Sequence, residues 1–288
     1  MENCSGEKQY IESCPLGCAA EARETDIVLP EGPLRECTEC GQFFSQCSER
    51  FFHESMREFN SPSSCWRPAE THGRLARSTA RLLASLEAML GKGRGEISLL
   101  DVGCSRGTFL KMAASLGVNC EGVEPAPEAA AVAVQAGLKV RQGFLEDLGL
   151  PSDSYDVITL FEVIEHIRAP APLLRECRRL LKKGGLLVIR TGNTGSWTAS
   201  VLKGGWEYFS IVEHGGHISF FNRRSMGVLA GRTGLALRKF RTHSVSLTDH
   251  RSVSRLHHRL SKVLAELLNL PAKLAGRGQK MEVFLVKE

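Results

Sequence analysis

The sequence predicts an α/β fold, a doubly wound parallel sheet that follows a small cysteine-rich N-terminal module. Three observations predict it. From about residue 97 onward, short apolar runs alternate with helical stretches. The first of those runs ends in a loop of small residues, Asp101-Val102-Gly103-Cys104-Ser105-Arg106-Gly107. Seven of the ten cysteines (Cys4, Cys14, Cys18, Cys37, Cys40, Cys47, Cys65) crowd the first 65 residues. Strand–helix alternation of this kind buries a sheet under helices on both faces, and its ligands bind beyond the carboxyl ends of the strands.

The elements follow in order. Residues 1–60 are polar and cysteine-rich, and Ser61-Pro62-Ser63-Ser64 reads as a connector. Leu75, Leu82, Leu83, Leu86, Met89 and Leu90 recur at helical spacing before the Gly91-to-Gly95 stop, so residues 61–95 are a linker and a lead-in helix. The main domain, 96–288, then reads as strand 97–102, helix 107–116, strand 119–124, helix 126–136, strand 138–142, strand 155–161, helix 171–181 and strand 186–191. Further on, 223–232 is helical, 235–240 extended, and 281–286 a closing strand. A basic helical insertion lies near 250–275. It sets Val253, Leu256, Leu260, Val263, Leu264, Leu267 and Leu268 on an apolar stripe, of which Val253, Leu256, Leu260 and Leu264 are expected to pack inward, and Arg251, Arg255, Arg259 and Lys262 on the other face.

Composition bounds the class. With 42% hydrophobic and 24% charged residues, the 288-residue chain has the profile of a soluble globular protein and can bury a real core. It has no apolar run of the ~18 residues a membrane span requires, and its start lacks a basic, apolar leader, so the expected address is cytoplasmic. In such a compartment, crowded cysteines point to metal rather than disulfides. Cys104, Cys120 and Cys177 read as ordinary thiols. The net charge of +5 hides an asymmetry: Met1 to Glu58 carries 5 Lys/Arg against 12 Asp/Glu, whereas Arg223 to Lys280 carries 13 against 2. The basic end reads either as a face for an anionic partner or as a surface attracted by the acidic end.

The loop at 101–107 lets backbone approach a ligand, and the helix after it offers unpaired N–H groups to an anion. A dinucleotide fingerprint would require glycine at positions 103, 105 and 108, but Ser105 and Thr108 occupy the last two. Glu124, about 20 residues on at the end of the second strand, can accept both hydroxyls of a ribose; alone, it reads equally as a solvated strand-end glutamate.

The loop spacing resembles motif I of class I S-adenosylmethionine-dependent methyltransferases, D-x-G-C-G-x-G, with Ser105 in place of the middle glycine. The stretch Tyr155-Asp156-Val157-Ile158-Thr159-Leu160-Phe161-Glu162-Val163-Ile164-Glu165-His166-Ile167, followed by Leu180-Leu181-Lys182-Lys183-Gly184-Gly185, resembles the subgroup with an E-H-[ILV] motif and an L-K-P-G-G turn. The resemblance covers roughly residues 70–240. It implies a seven-stranded, Rossmann-like methyltransferase sheet with S-adenosylmethionine over the first and fourth strands. It also implies a cofactor pocket made by Asp101, Gly103, Ser105, Gly107, Glu124, Phe161 and Glu162, with Leu145 beside the adenine. At Phe144 many relatives carry an acidic residue.

Cys14-Pro15-Leu16-Gly17-Cys18 and Cys37-Thr38-Glu39-Cys40 approximate the paired knuckles of a zinc ribbon. Four thiolates would hold structural zinc and staple a module too small to stabilise itself by burial. The first pair is C-x3-C, so Cys4, Cys47 or His53 could replace one ligand.

Methyl transfer from a sulfonium needs alignment and exclusion of water rather than a covalent nucleophile. A hydroxyl acceptor would benefit from a base, and His166, His214 and His217 are the candidates; His166 reads alternatively as a brace for the following helix. Two acceptor classes follow. One is a small molecule of a glycan, sugar or lipid pathway, with peripheral membrane contact through the basic region. The other is RNA, held by the zinc module and the basic helix. The acidic module and the absence of aromatics among the basic residues speak against RNA.

Overall fold

The computed structural model describes residues 8–59, 72–248 and 255–288. In chain order the elements are β1 (Ala22–Leu29), β2 (Gly32–Cys37), β3 (Phe43–Phe44), α1 (Glu49–Phe59), α2 (His72–Leu90), β4 (Ser98–Val102), α3 (Thr108–Ser115), β5 (Asn119–Glu124), α4 (Pro127–Gln135), β6 (Val140–Gln142), β7 (Tyr155–Phe161), α5 (Pro170–Leu180) and β8 (Leu181–Gly192). The C-terminal part adds α6 (Trp197–Leu202), α7 (Ile211–His214), β9 (Ser219–Phe220), α8 (Arg223–Arg232), β10 (Ala236–His243), α9 (Arg255–Leu274) and β11 (Lys280–Val286).

Seven strands form the main sheet in the order β10-β11-β8-β7-β4-β5-β6. The five from β6 to β8 run parallel, whereas β11 pairs antiparallel with both β8 and β10. Side chains alternate along each strand. Leu100, Ile158, Leu160, Leu187, Ile189 and Val283 pack under α5 and α8, while Leu99, Val157, Leu186, Val188 and Phe284 pack under α2 and α3. The chain builds outward from β4 through β5 to β6, then returns to place β7 on the other side. This creates a switch point between β4 and β7, where parallel sheets open a crevice for ligands.

The N-terminal segment joins this body through hydrogen bonds. A second sheet runs β1-β2-β3-β9, so its last strand comes from the main domain, with Phe43 and Phe44 pairing with Phe220 and Ser219. Ile27, Leu29 and Leu34 share a core with Trp206, Tyr208, Phe209 and Phe220.

One expectation is corrected. Leu260 and Leu264 of α9 do not pack inward; they are exposed, as are Val263 and Leu267 beside them. The helix instead lies on Ala265, Ala272 and Leu268, which pack with Val245, Leu247 and Trp197. Small side chains let a helix approach closely, and that choice turns the leucines outward. Arg251 and Val253, and the side chains of Arg255 and Leu256, lie outside the described residues. Among the described residues, no helix is long and apolar enough to cross a membrane.

Candidate functional site

The glycine loop sits at the switch point, at the carboxyl end of β4. Gly103 has φ +73° and Gly107 φ +76°. Both conformations favour glycine, and a Cβ would press on the Val163 side chain at Gly103 and on the Leu138 side chain at Gly107, so any other residue would be strained and would also have to displace its neighbour. Ser105 also adopts a left-handed conformation, φ +49°. That is the region glycine occupies without strain, so the middle position of the loop keeps its backbone shape at an energetic cost.

Glu124 ends β5 next to the loop. Its Oε2 accepts the Ser105 N–H at 2.7 Å and its Oε1 accepts the Ala126 N–H at 2.9 Å. The side chain is buried rather than solvated. Each carboxylate oxygen keeps a lone pair for a further donor such as a ribose hydroxyl. Asp101, the last but one residue of β4, accepts the Thr159 hydroxyl at 2.6 Å. Burial pushes its carboxyl up to about 7, the Glu124 charge adds to the shift, and the Thr159 bond opposes it.

At the carboxyl end of β7, Glu162 has φ +54°, a strained geometry for a residue with a side chain. It stands between two cavities. The larger, about 710 Å³, is lined among others by Phe161, Glu162, Arg241, His243 and Lys273. The smaller, about 340 Å³, is lined by Glu162, His166, Trp206, Glu207, Tyr208, His217, Gln279 and Lys280. Lys280 Nζ lies 3.4 Å from Glu162 Oε1. Phe161 packs edge-on against Phe109 and carries the Arg190 guanidinium 4.3 Å above its ring.

The two predicted histidines meet here. The His166 and His217 rings are 4.8 Å apart, and the Tyr208 ring is 4.4 Å from His217. His217 Nδ1 donates to the Tyr208 backbone carbonyl at 2.8 Å. A carbonyl only accepts, so Nδ1 carries a proton, and Nε2 lies 3.8 Å from Glu165 Oε1. Tyr208 donates its hydroxyl to Glu165 at 2.7 Å. Burial, then the neighbouring Glu162 carboxylate, hold the Glu165 carboxyl well above its ordinary range, and burial raises the Tyr208 hydroxyl likewise. The ligand atoms of Glu165, His166 and His217 all lie within 4.8 Å of one another. The His214 side chain is outside those described.

Sequence reasoning missed Glu165, Tyr208 and Lys280. Glu165 sits inside the recognised motif, so its neighbourhood was a signal; Tyr208 and Lys280 come from segments without one. Leu145 turns its side chain into the core, whereas Phe144 is 65% exposed on the loop after β6.

The sulfur atoms of Cys14, Cys18, Cys37 and Cys40 lie within 4.8 Å of one another, all buried, with Cys14 and Cys40 3.6 Å apart. Zinc–sulfur bonds of ~2.3 Å in a tetrahedron separate sulfurs by ~3.8 Å, so the set fits that ion. A hydrogen bond from Cys40 lowers the Cys14 thiol to about 5, against the effect of burial. Cys47 is buried in a different cluster and His53 is exposed, so neither joins the four; Cys4 lies outside the described residues. The knuckles are clamped to both ends of α8. Asn222, its N-cap, donates to the Gly41 carbonyl at 2.6 Å, and Arg232 in its last turn donates to the Leu16 carbonyl at 2.6 Å.

The family model described as "Methyltransferase domain" matches residues 69–239. The ubiquinone biosynthesis O-methyltransferase of Cereibacter sphaeroides is 39% identical over 103 residues, 34% of this chain and 42% of that protein. The protein of the same name from Xanthomonas oryzae pv. oryzae is 34% identical over 127 residues, 41% of this chain and 53% of that one. The chain thus spans about half the length of the curated relatives it matches. Among solved structures, the geranyl diphosphate C-methyltransferase of Streptomyces coelicolor, in complex with S-adenosyl-L-homocysteine, aligns with a TM-score of 0.53 at 18% identity, covering 84% of this chain and 100% of that one. That likeness is one of fold.

Proposed function

The chain belongs to the methyltransferase domain family, and from that premise we propose that it transfers the methyl group of S-adenosylmethionine to a hydroxyl of a small, lipid-pathway acceptor. The observation that carries this reading is the strained glycine loop locked to Glu124 at the switch point, with the histidine-lined cavity opening at the ends of the neighbouring strands. The named relatives, which act in ubiquinone biosynthesis, support the acceptor class.

Bound there, the cofactor supplies a methyl electrophile. The chain's own residues do the rest. Gly103 and Gly107 permit close approach of the backbone, Glu124 accepts ribose hydroxyls, Phe161 and Glu162 wall the pocket, and Phe144 offers an exposed apolar surface for the adenine. In the smaller cavity His217 takes the acceptor proton on Nε2, while its Nδ1–H remains fixed on the Tyr208 carbonyl. His166, edge-on to that ring, shares the cavity wall. Cys14, Cys18, Cys37 and Cys40 would hold structural zinc, and the Gln42–Ser219 hydrogen bond would tie the knuckle so fixed to the segment that carries His217.

The test is transfer of label from methyl-labelled S-adenosylmethionine into separated lipid, polar-metabolite and RNA fractions. Label in the lipid fraction, greatly reduced in His217→Ala at unchanged cofactor affinity, supports the reading; label in RNA would replace it with the second acceptor class. Among the described residues, the cations of α9 stand beside leucines rather than the aromatic platforms that unstacked bases require.

A further inference from the structure

Helix α9 has three faces. At ~100° per residue, Ser261, Ala265, Leu268 and Ala272 fall together on the face laid against the body of the protein. Arg259, Lys262 and Lys273 fall on a second face. Leu260, Val263, Leu264, Leu267, Leu270 and Leu274 form the third, an unbroken stripe along most of the helix, from 50% exposed at Leu264 to 80% at Leu274. Six large aliphatic side chains in one continuous line are more than a soluble surface ordinarily leaves uncovered.

The charges beside the stripe select its occupant. The helix contains Arg255, Arg259, Lys262 and Lys273 against one acid, Glu266, whose carboxylate already accepts the Asn269 amide at 2.9 Å. No ion pair is made by Arg259, Lys262 or Lys273 among the described residues. Two copies meeting stripe to stripe would bring these cations together, so self-association works against its own electrostatics. An apolar interior under a negative rim satisfies both faces at once, and that is the make-up of an anionic lipid bilayer. The stripe also leads to the site. Lys273 lines the larger cavity together with Phe161 and Glu162, and Leu270 and Leu274 flank it on the helix.

We propose that α9 is a membrane-docking helix whose leucine stripe enters the headgroup–acyl boundary of an anionic bilayer, its cations resting on the headgroups, so that the mouth of the larger cavity faces the lipid surface. This goes beyond the methyl-transfer reading, bringing the protein to the surface in which a lipid-pathway acceptor lies, and it can fail or hold independently because vesicle binding requires neither cofactor nor acceptor.

The experiment is co-sedimentation of the full chain with vesicles of phosphatidylcholine alone and of phosphatidylcholine with phosphatidylglycerol. The mixed vesicles should retain the protein and the neutral ones should retain much less. Leu264→Gln/Leu267→Gln should weaken retention by about tenfold or more, and Arg259→Gln/Lys262→Gln should abolish the preference for anionic lipid and its loss in salt. All four side chains are exposed, so folding should be unchanged, checked by circular dichroism. Val201→Gln/Val212→Gln, at exposed apolar positions elsewhere, should bind like wild type. Absence of retention for folded wild type would overturn the proposal, as would retention unaffected by the leucine changes. Sedimentation equilibrium showing a dimer that the same leucine changes dissociate, without vesicle binding, would assign the stripe to a second copy instead.

Discussion

Glu124 holds the Ser105 N–H at 2.7 Å, tying the strained middle residue of the glycine loop to the end of the neighbouring strand. One carboxylate thereby shapes the loop and, in the proposed function, also accepts the ribose hydroxyls. Glu124→Ala should weaken S-adenosylmethionine binding by about 1.5–3 kcal/mol, or roughly 10- to 150-fold, through loss of charged hydrogen bonds. Glu124→Gln keeps one carbonyl acceptor and should fall between wild type and alanine. Equal affinity in all three proteins would return Glu124 to a role in the fold alone.

Ser105 makes the opposite prediction for stability. A left-handed residue with a Cβ costs about 1–2 kcal/mol, and glycine gives back about 0.5–1 kcal/mol in chain entropy. Ser105→Gly should therefore raise stability by about 0.5–1 kcal/mol in denaturant unfolding, with cofactor affinity at least as high as wild type. A fall in both would mean that the hydroxyl makes a contact worth more than the strain.

Asp101 sets a pH dependence. Its folded-state pKa of about 7 lies above the ordinary 3.8, so between those values the folded chain binds a proton that the unfolded chain has released. The contribution to stability falls as pH rises from about 4 to about 7 and then stays low. Thermal melts should show Asp101→Asn gaining on wild type across that window, most at pH 8 and least near pH 4. Parallel curves would contradict the burial argument.

The cysteine cluster and the histidine cavity are joined by a short path. Gln42, between the second knuckle and β3, donates to the Ser219 hydroxyl at 2.9 Å, and β3 pairs with β9, two residues beyond His217. One zinc per chain is expected by metal analysis after reducing, chelator-free purification, and Cys37→Ser should release it. The mutant should lose acceptor turnover by tenfold or more while binding S-adenosylmethionine within about threefold of wild type, a difference under ~0.7 kcal/mol. Comparable losses at both sites would show that zinc supports the whole fold rather than the acceptor loop.

Much of the main sheet was legible because its signals are local. The strands 119–124 and 155–161 are apolar runs bounded by turns, and Pro127 and Pro170 open helices where proline fits. What was illegible depends on distant partners. The polar, irregular residues of β1 and β2 become strands because Ile27, Leu29 and Leu34 find Trp206, Tyr208 and Phe209 far along the chain. The α9 stripe has perfect periodicity, yet periodicity cannot say which face is covered; Ala265 and Ala272 decided it by allowing the closer approach. In the site, the loop, Glu124 and the E-H motif were readable, whereas Tyr208 acts through a carbonyl and a hydroxyl that only the fold brings to His217 and Glu165.

The most direct test of the account is titration calorimetry of folded wild-type protein with S-adenosylmethionine. A single saturable site per chain, competed by S-adenosylhomocysteine, is the predicted result. Folded protein that gives no binding signal with either compound would contradict the assignment of the glycine loop and Glu124 as a cofactor site, and with it the proposed methyl transfer.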